Sequence, residues 1–115
     1  MLSGPTFIVM HVNSVSAAIP FYTDILGMEV QEQGADWVRF KTGDGVRLAL
    51  SQDHAPNPDS TNEVGWDVAD ITSLYNDLVG KAVEVVQPLS DIPFGRTFII
   101  KDPDGNKLYF LQLPH

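Results

Sequence analysis

The chain has 115 residues, which is enough for one domain with a single sizeable core and too few for two large ones. Fifteen acidic against seven basic residues give a formal net charge of -8, which opposes a phosphate backbone, so nucleic acid is not an expected partner. The absence of cysteine excludes disulfides, thiol nucleophiles and thiolate metal sites.

The first apolar run, residues 7–12, has no basic flank and is far shorter than the roughly 20 residues that a membrane span requires. We therefore expect no membrane partner and a cytoplasmic location.

The first half of the chain predicts a strand, a helix and three further strands. A β-rich run over 6–12 precedes a helix that Ser14 or Ser16 caps and Gly27 ends, with Pro20 tolerated near its first turn. Strands are then predicted at 28–32, 37–41 and 46–52, the last two joined by a Gly-Asp-Gly turn at 43–45.

Residues 54–60 contain two prolines and no apolar periodicity, which is typical of a connector. The same order of elements then begins again, with a strand at 64–68 and a helix that Asp70 caps and Gly80 ends. A loop at 88–95 and a hairpin turn at 102–105 separate the last strands, which are predicted at 83–87, 96–101 and 107–111.

An internal repeat links the two halves. The segment 40–52 recurs as 100–112, with Lys, Asp, Gly, Leu and Gln identical in place. The chain is therefore interpreted as a single domain, 1–115, built from two β-α-β-β-β modules at about 5–53 and 61–113.

Side chains alternate across a strand, which sorts the residues of both modules into two faces. One face is apolar and should lie under the helices. The other mixes aromatic, apolar and polar groups, which is typical of the lining of a pocket; plain packing against a second sheet or a partner chain is the alternative. Residues of this second face, in both modules, include Phe7, Val9, His11, Trp37, Arg39, Arg47, Ala49, Ser51, Glu63, Asp67, Thr97, Ile99, Tyr109 and Leu111.

Three segments resemble the vicinal oxygen chelate superfamily, which includes glyoxalase I, extradiol dioxygenases, fosfomycin-resistance enzymes and bleomycin-resistance proteins. They are Phe-Tyr-Thr-Asp-Ile-Leu-Gly-Met at 21–28, Pro-Phe-Gly-Arg at 93–96 and Asp-Pro-Asp-Gly-Asn-Lys-Leu at 102–108. The resemblance implies an α+β fold in which two tandem βαβββ modules form a curved eight-stranded mixed sheet, with a concave pocket and helices on the convex side.

The resemblance also places the superfamily's metal ligands, usually His and Glu, at four positions of this chain: Phe7, Ala49, Glu63 and Tyr109. A divalent cation needs three or more suitable donors to offset its dehydration, and only Glu63 qualifies well. We therefore expect no metal and no cofactor, and the closest type is the metal-free, bleomycin-resistance-like member.

His11 is the only histidine of the first strand, but it lies four residues beyond the ligand position. A rim histidine with an ordinary hydrogen bond is the first interpretation, ligand contact the second and metal ligation the last. We expect His54 to be solvated in the connector and His115 to be frayed at the end of the chain.

Four further side chains are candidates for ligand binding. Trp37 can stack on a ligand or pack at an interface, and Arg39 and Arg47 can hold a carboxylate or phosphate or pair with surface acids. Phe94 can cover the mouth of the pocket or anchor a surface loop.

Glu63 is the most pointed candidate, because an acid in an apolar pocket can anchor a cation or transfer a proton. A solvated strand end is the competing interpretation. Weak catalytic candidates are Glu63 as base with His11 or Tyr109 as acid; otherwise no catalytic residue is expected.

The leading functional prediction is a metal-independent binding protein for an antibiotic or natural product, hydrophobic and cationic, working as a C2 homodimer. The alternative is a metal-dependent lyase, isomerase or dioxygenase with non-standard ligands. An accessory subunit with a degenerate pocket has no distinguishing mark in the sequence.

Overall fold

The computed structural model describes residues 7–43, 46–56 and 63–114. The chain divides into two compact units, Met1–Asn57 and Pro58–His115, each of which has its own sheet. The division falls in the predicted connector, of which residues 57–60 lie outside the described ranges.

Unit 1 is a four-stranded mixed sheet with a short helix. Its elements are β1 (Phe7–His11), α1 (Val15–Pro20), a π-helical turn (Phe21–Ile25), β2 (Glu29–Gln33), β3 (Trp37–Lys41) and β4 (Arg47–Ser51). The strand order is β1-β4-β3-β2, with β1 parallel to β4 and the other pairs antiparallel.

Unit 2 repeats this arrangement. Its elements are β5 (Glu63–Asp67), α2 (Ile71–Gly80), β6 (Glu84–Ile92), β7 (Gly95–Lys101) and β8 (Lys107–Gln112), in the strand order β5-β8-β7-β6. The strand β5 is parallel to β8, and the remaining pairs are antiparallel. The predicted α+β class and tandem β-α-β-β-β modules are confirmed.

In each unit one face of the sheet is buried under the helix, as the alternation predicts. The buried sheet residues of unit 1 are Met10, Val38, Phe40, Leu48 and Leu50, and α1 contacts β3. Those of unit 2 are Phe98, Ile100, Leu108 and Phe110, against which α2 places Ile71 and Leu78. Trp66 stacks on Phe110, a residue of this buried face, with ring centroids 5.2 Å apart.

The first helix differs from its prediction. Pro20 is the last residue of α1 rather than a residue of its first turn, and the chain continues as a π-helical turn. Proline has no N–H to donate to the carbonyl four residues earlier, so the α-helical ladder is interrupted there. The Leu26 N–H then donates to the Phe21 carbonyl, five residues back, at 3.1 Å.

The segment 88–95, predicted as a loop, is mostly strand. The strand β6 runs on through Pro88 to Ile92, with register shifts between Val85 and Gln87 and between Gln87 and Ser90. Because β6 is the edge strand of its sheet, a residue without an N–H can lie in it.

The two units anchor their helices in the same way. The Val15 N–H donates to Oε1 of Gln52 at 2.8 Å, and the Ile71 N–H donates to Oε1 of Gln112 at 2.8 Å. Each glutamine follows or ends the last strand of its unit and satisfies one of the helix's unpaired amides. This contact explains why glutamine recurs at equivalent places in the repeat.

Within the described residues, no helix has both the length and the apolar character needed to cross a membrane.

Candidate functional site

Eight side chains share the face of β1, β4 and β3 that lies opposite the buried face of unit 1, and we call this set the mixed face. Strand register fixes their arrangement in three rows across the sheet. The rows are Phe7 with Arg47, then Val9 with Ala49 and Arg39, then His11 with Ser51 and Trp37. All six predicted ligand-binding residues of unit 1 therefore lie on one surface.

The mixed face keeps large apolar groups in contact with solvent. Phe7 is 59% exposed and Val9 is 41% exposed, although both belong to a regular strand. Apolar side chains of this size are normally turned into a core, so their exposure makes β1 a candidate binding surface, although Ile8 on the opposite side of the strand is also 40% exposed.

Two other members of the mixed face have local partners. A Cβ atom at Gly34 would lie only 2.2 Å from Nε1 of Trp37, so the indole ring is packed directly over the backbone of the β2–β3 hairpin. Arg39 donates to Gln31 Oε1 at 2.9 Å and pairs with the Glu32 carboxylate. The expected pairing of Arg39 with a surface acid is therefore observed, with both partners on β2.

In unit 2, Glu63 and Tyr109 lie on the same side of the sheet by alternation, because Glu63 is in register with Lys107 and Gly65 with Tyr109. Glu63 is exposed at the start of β5, beside a lysine, whereas Tyr109 is half-buried. An exposed acid opposite a cation matches a solvated strand end more closely than an acid enclosed by apolar groups.

Phe94 occupies the tight turn between β6 and β7 and is 56% exposed. The turn depends on Gly95, which has a φ of 155° and whose added Cβ would lie 2.3 Å from the Gln112 carbonyl oxygen. Next to this turn is a shallow groove of about 350 Å³, lined by Ile92, Pro93, Arg96 and Leu113 among others. Arg96 is held there by Asp91 and Thr72, at 3.1 and 2.6 Å.

Three polar side chains meet where β1 and β4 end. Nδ1 of His54 lies 3.1 Å and Nδ1 of His11 lies 3.6 Å from Oδ1 of Asp53, and the two imidazole centroids are 5.2 Å apart. The Ser51 hydroxyl donates to the same oxygen at 2.5 Å. The pKa of Asp53 is lowered from its usual value, mainly by this hydrogen bond from Ser51 and next by the hydrogen bond with His54.

The four positions to which the resemblance assigns the superfamily's metal ligands carry a poor set of donor atoms. In unit 1 they are a phenyl ring and a methyl group, Phe7 and Ala49, neither of which can bind a cation through a lone pair. In unit 2 they are Glu63 and Tyr109, and a neutral phenol is a poor ligand for a divalent cation. No catalytic step through a metal at these positions follows from the chain.

Comparison with known proteins places the chain in a family. Residues 5–110 match the family described as the Glyoxalase/Bleomycin resistance protein/Dioxygenase superfamily, and the chain belongs to it. No match was found among curated protein sequences.

Solved structures share the fold at low sequence identity. TnmS3, an antibiotic binding protein from Streptomyces sp. CB03234, is 21% identical, with a TM-score of 0.83 and 98% of each chain covered. A glyoxalase-related enzyme from Fulvimarina pelagi is 18% identical, with a TM-score of 0.82. The match covers 98% of this chain and 90% of the enzyme's chain. TioX from Micromonospora sp. ML1 is 16% identical, with a TM-score of 0.77. The match covers 97% of this chain and 100% of the TioX chain.

Sequence reasoning missed Asp53 as a member of any site. It treated His11 and His54 separately, as a rim residue and a connector residue, although they lie 43 positions apart in the chain and together in space. The available signal was the parallel pairing of the first and fourth strands, which brings the residues after both strands to one edge.

Proposed function

We propose that this chain binds a hydrophobic, cationic small molecule of the antibiotic or natural-product class and holds it without chemical change. The observation that carries the proposal is the exposure of Phe7 and Val9 on the mixed face, which also carries the polar side chains of His11 and Ser51. Exposed aromatic surface with a few placed polar groups is the usual composition of a small-molecule site.

The family supports this role, because its description names bleomycin resistance proteins as well as glyoxalases and dioxygenases. The similar structure of TnmS3 belongs to a protein described as antibiotic binding. The likeness to TnmS3 is one of fold, so the ligand class for this chain rests on the proposal.

Binding without a metal is part of the proposal. The donor set at the superfamily's metal positions favours it, since Phe7 and Ala49 contribute no ligand atom. Attraction for a cation has two sources, the net charge of -8 and the indole face of Trp37. We place the protein in the cytoplasm. We also propose that it forms a C2 homodimer, which sedimentation of the purified chain tests.

The proposal is tested on protein dialysed against a chelator, with metal-free bleomycin and an anthracycline as cationic probes and anilinonaphthalene sulfonate as the anionic comparator. We expect saturable quenching of tryptophan fluorescence by a cationic probe and recovery of that probe unchanged by mass spectrometry. At about 100 times Kd the probe should stabilise the fold by about 2.7 kcal/mol.

The matched variants are Phe7→Ser on the mixed face and Val79→Ser on α2, since both residues are exposed, at 59% and 47%. Phe7→Ser should weaken binding about tenfold, which is the loss of about 1.4 kcal/mol of apolar contact, and Val79→Ser should leave it unchanged. Equal affinity in both variants contradicts the proposed surface. Conversion of a probe that appears only with added metal favours the lyase, isomerase or dioxygenase instead.

A further inference from the structure

We propose that His11, Asp53 and His54 form a binding site for a divalent transition-metal ion such as Zn²⁺, Ni²⁺ or Co²⁺. The three residues lie where β1 and β4 end, and within the described parts of the chain they bring one ligand atom each to within 4.8 Å of one another. We call them the strand-end triad.

The backbone fixes the positions of the triad. His11 is in register with Ser51 across the parallel pair of β1 and β4, and the Val12 N–H donates to the Ser51 carbonyl at 3.0 Å. The next residue, Gln52, is tied to the start of α1 through its side chain. Asp53 and His54 therefore leave β4 from an anchored point, beside His11.

The distances suit a shared ion. Tetrahedral zinc with bonds of about 2.0–2.1 Å places its donor atoms about 3.3–3.4 Å apart. The observed separations from Asp53 Oδ1 are 3.1 Å to His54 Nδ1 and 3.6 Å to His11 Nδ1. Small rotations of three side chains that are 41%, 57% and 73% exposed are enough to meet the ideal value.

The donor types point to the same class of ion. Two imidazoles and one carboxylate suit zinc, nickel, cobalt and copper, whereas calcium and magnesium prefer oxygen donors throughout. Ser51 completes the arrangement, because its hydroxyl donates to Asp53 at 2.5 Å and its oxygen accepts the Asp53 N–H at 3.3 Å. Such outer contacts orient a ligating carboxylate.

The triad is distinct from the superfamily's metal positions. His11 is four residues beyond Phe7 on β1. Asp53 is four residues beyond Ala49 and follows the end of β4. At the same register, unit 2 has Asp67, Leu113 and Pro114, of which only one can bind a metal. The repeat thus supplies an internal comparison, a strand end with the same backbone pairing and no triad.

Metal ligation, the last of the sequence-based interpretations of His11, becomes its first role here. Metal binding by the triad does not depend on the proposed ligand binding, because the metal is measured without any organic ligand. The competing explanation is a hydrogen-bonded His-Asp-His cluster that takes no ion, and the two explanations differ in a direct titration.

The experiment uses the full chain with any affinity tag removed, dialysed against a chelator. Zn²⁺ is titrated by calorimetry, and Co²⁺ is titrated by its visible absorption, which reports coordination directly. We expect one ion bound per chain. The variants His11→Gln, Asp53→Asn and His54→Gln should each lower the affinity about tenfold or more.

Two controls match the variants. Asp67→Asn removes the acid at the same register in β5, and His115→Gln removes the one histidine outside the triad; neither should change the affinity. Far-ultraviolet circular dichroism establishes that every variant is folded. The inference is overturned if no saturable binding occurs, if the triad variants bind as tightly as the parent chain, or if His115→Gln abolishes binding.

Discussion

At the residue scale, Asp70 is a side chain whose role follows from its hydrogen bonds. Its carboxylate accepts the Ser73 N–H at 3.1 Å and the Ser73 hydroxyl at 3.0 Å, which satisfies an unpaired amide at the start of α2. Both hydrogen bonds lower the pKa of Asp70 from its ordinary value, and the bond from the Ser73 backbone N–H has the larger effect.

We predict that Asp70→Ala lowers Tm by about 4–8 °C at neutral pH, because the start of α2 loses its cap. The effect should depend on pH with a definite sign. The folded pKa of Asp70 lies below the unfolded value of about 3.9, so its stabilisation is present above that value and is lost as pH falls through the folded pKa. Thermal unfolding followed by circular dichroism, at neutral pH and across this acid range, measures the loss in Tm and its dependence on pH.

Asp77→Ala is the matched control for that experiment. Asp77 is an exposed acid of the same helix and pairs with Lys81 at 3.1 Å, an arrangement that contributes little to stability. A Tm difference between Asp70→Ala and the parent that stays the same down to the most acid condition would contradict the capping role.

Residues that act through neighbours in sequence were predictable, and residues that act through strand pairing were not. Asp70 was identified as a cap from the chain alone, and Ser14, which accepts the Ala17 N–H at 3.3 Å, was one of two candidates with Ser16. The strand-end triad was not, because it needs the register of β1 against β4, which no local pattern specifies. The partners of Arg39 were missed for the same reason, since they lie across the β2–β3 pair.

At the scale of elements, a glutamine holds the start of the helix in each unit. Gln112 is the last residue of β8, and its Oε1 accepts the Ile71 N–H in a half-buried place. We predict that Gln112→Leu destabilises the fold by about 1–3 kcal/mol, since the amide of Ile71 loses its partner away from solvent. Chemical denaturation measures the change through the midpoint and slope of unfolding.

Gln33→Leu is the control for this substitution. Gln33 is exposed on β2, so its replacement should stay within about 0.5 kcal/mol of the parent chain. Gln52→Leu should repeat the effect of Gln112→Leu, because Gln52 makes the equivalent bond to Val15. Equal stability of the Gln33 and Gln112 variants would show that the side-chain bond is replaced by water.

Element types followed from periodicity, while the ends of several elements did not. Strict alternation of apolar residues predicted β3 with both of its ends, Trp37 and Lys41. The strand β6 runs five residues past its predicted end, because the register shifts across Pro88 and pairing with β7 resumes at Ser90. The α-helix stopped early at Pro20, and the π-helical turn after it has no sequence signature beyond that proline.

At the scale of the whole molecule, duplication explains why two short segments each form a compact unit. Each unit buries one face of a four-stranded sheet under its own helix, and each uses a parallel pair between its first and last strands. The repeat of residues 40–52 at 100–112 predicted this organisation, since equivalent sequences specify equivalent strands and turns. The two units differ at the ends of those parallel strands, where only unit 1 carries the triad.

The net charge of -8 should make the stability of the whole molecule depend on ionic strength. Like charges repel in the compact state, and salt shortens the range of that repulsion from about 30 Å at 0.01 M to about 8 Å at 0.15 M. We predict that Tm rises over this range by a similar amount with NaCl and KCl, measured by calorimetry. The exposed Asp36→Lys substitution lowers the magnitude of the net charge by two and should reduce the rise. A fall in Tm with added salt would mean instead that attractive pairs such as Arg39 with Glu32 outweigh the repulsion.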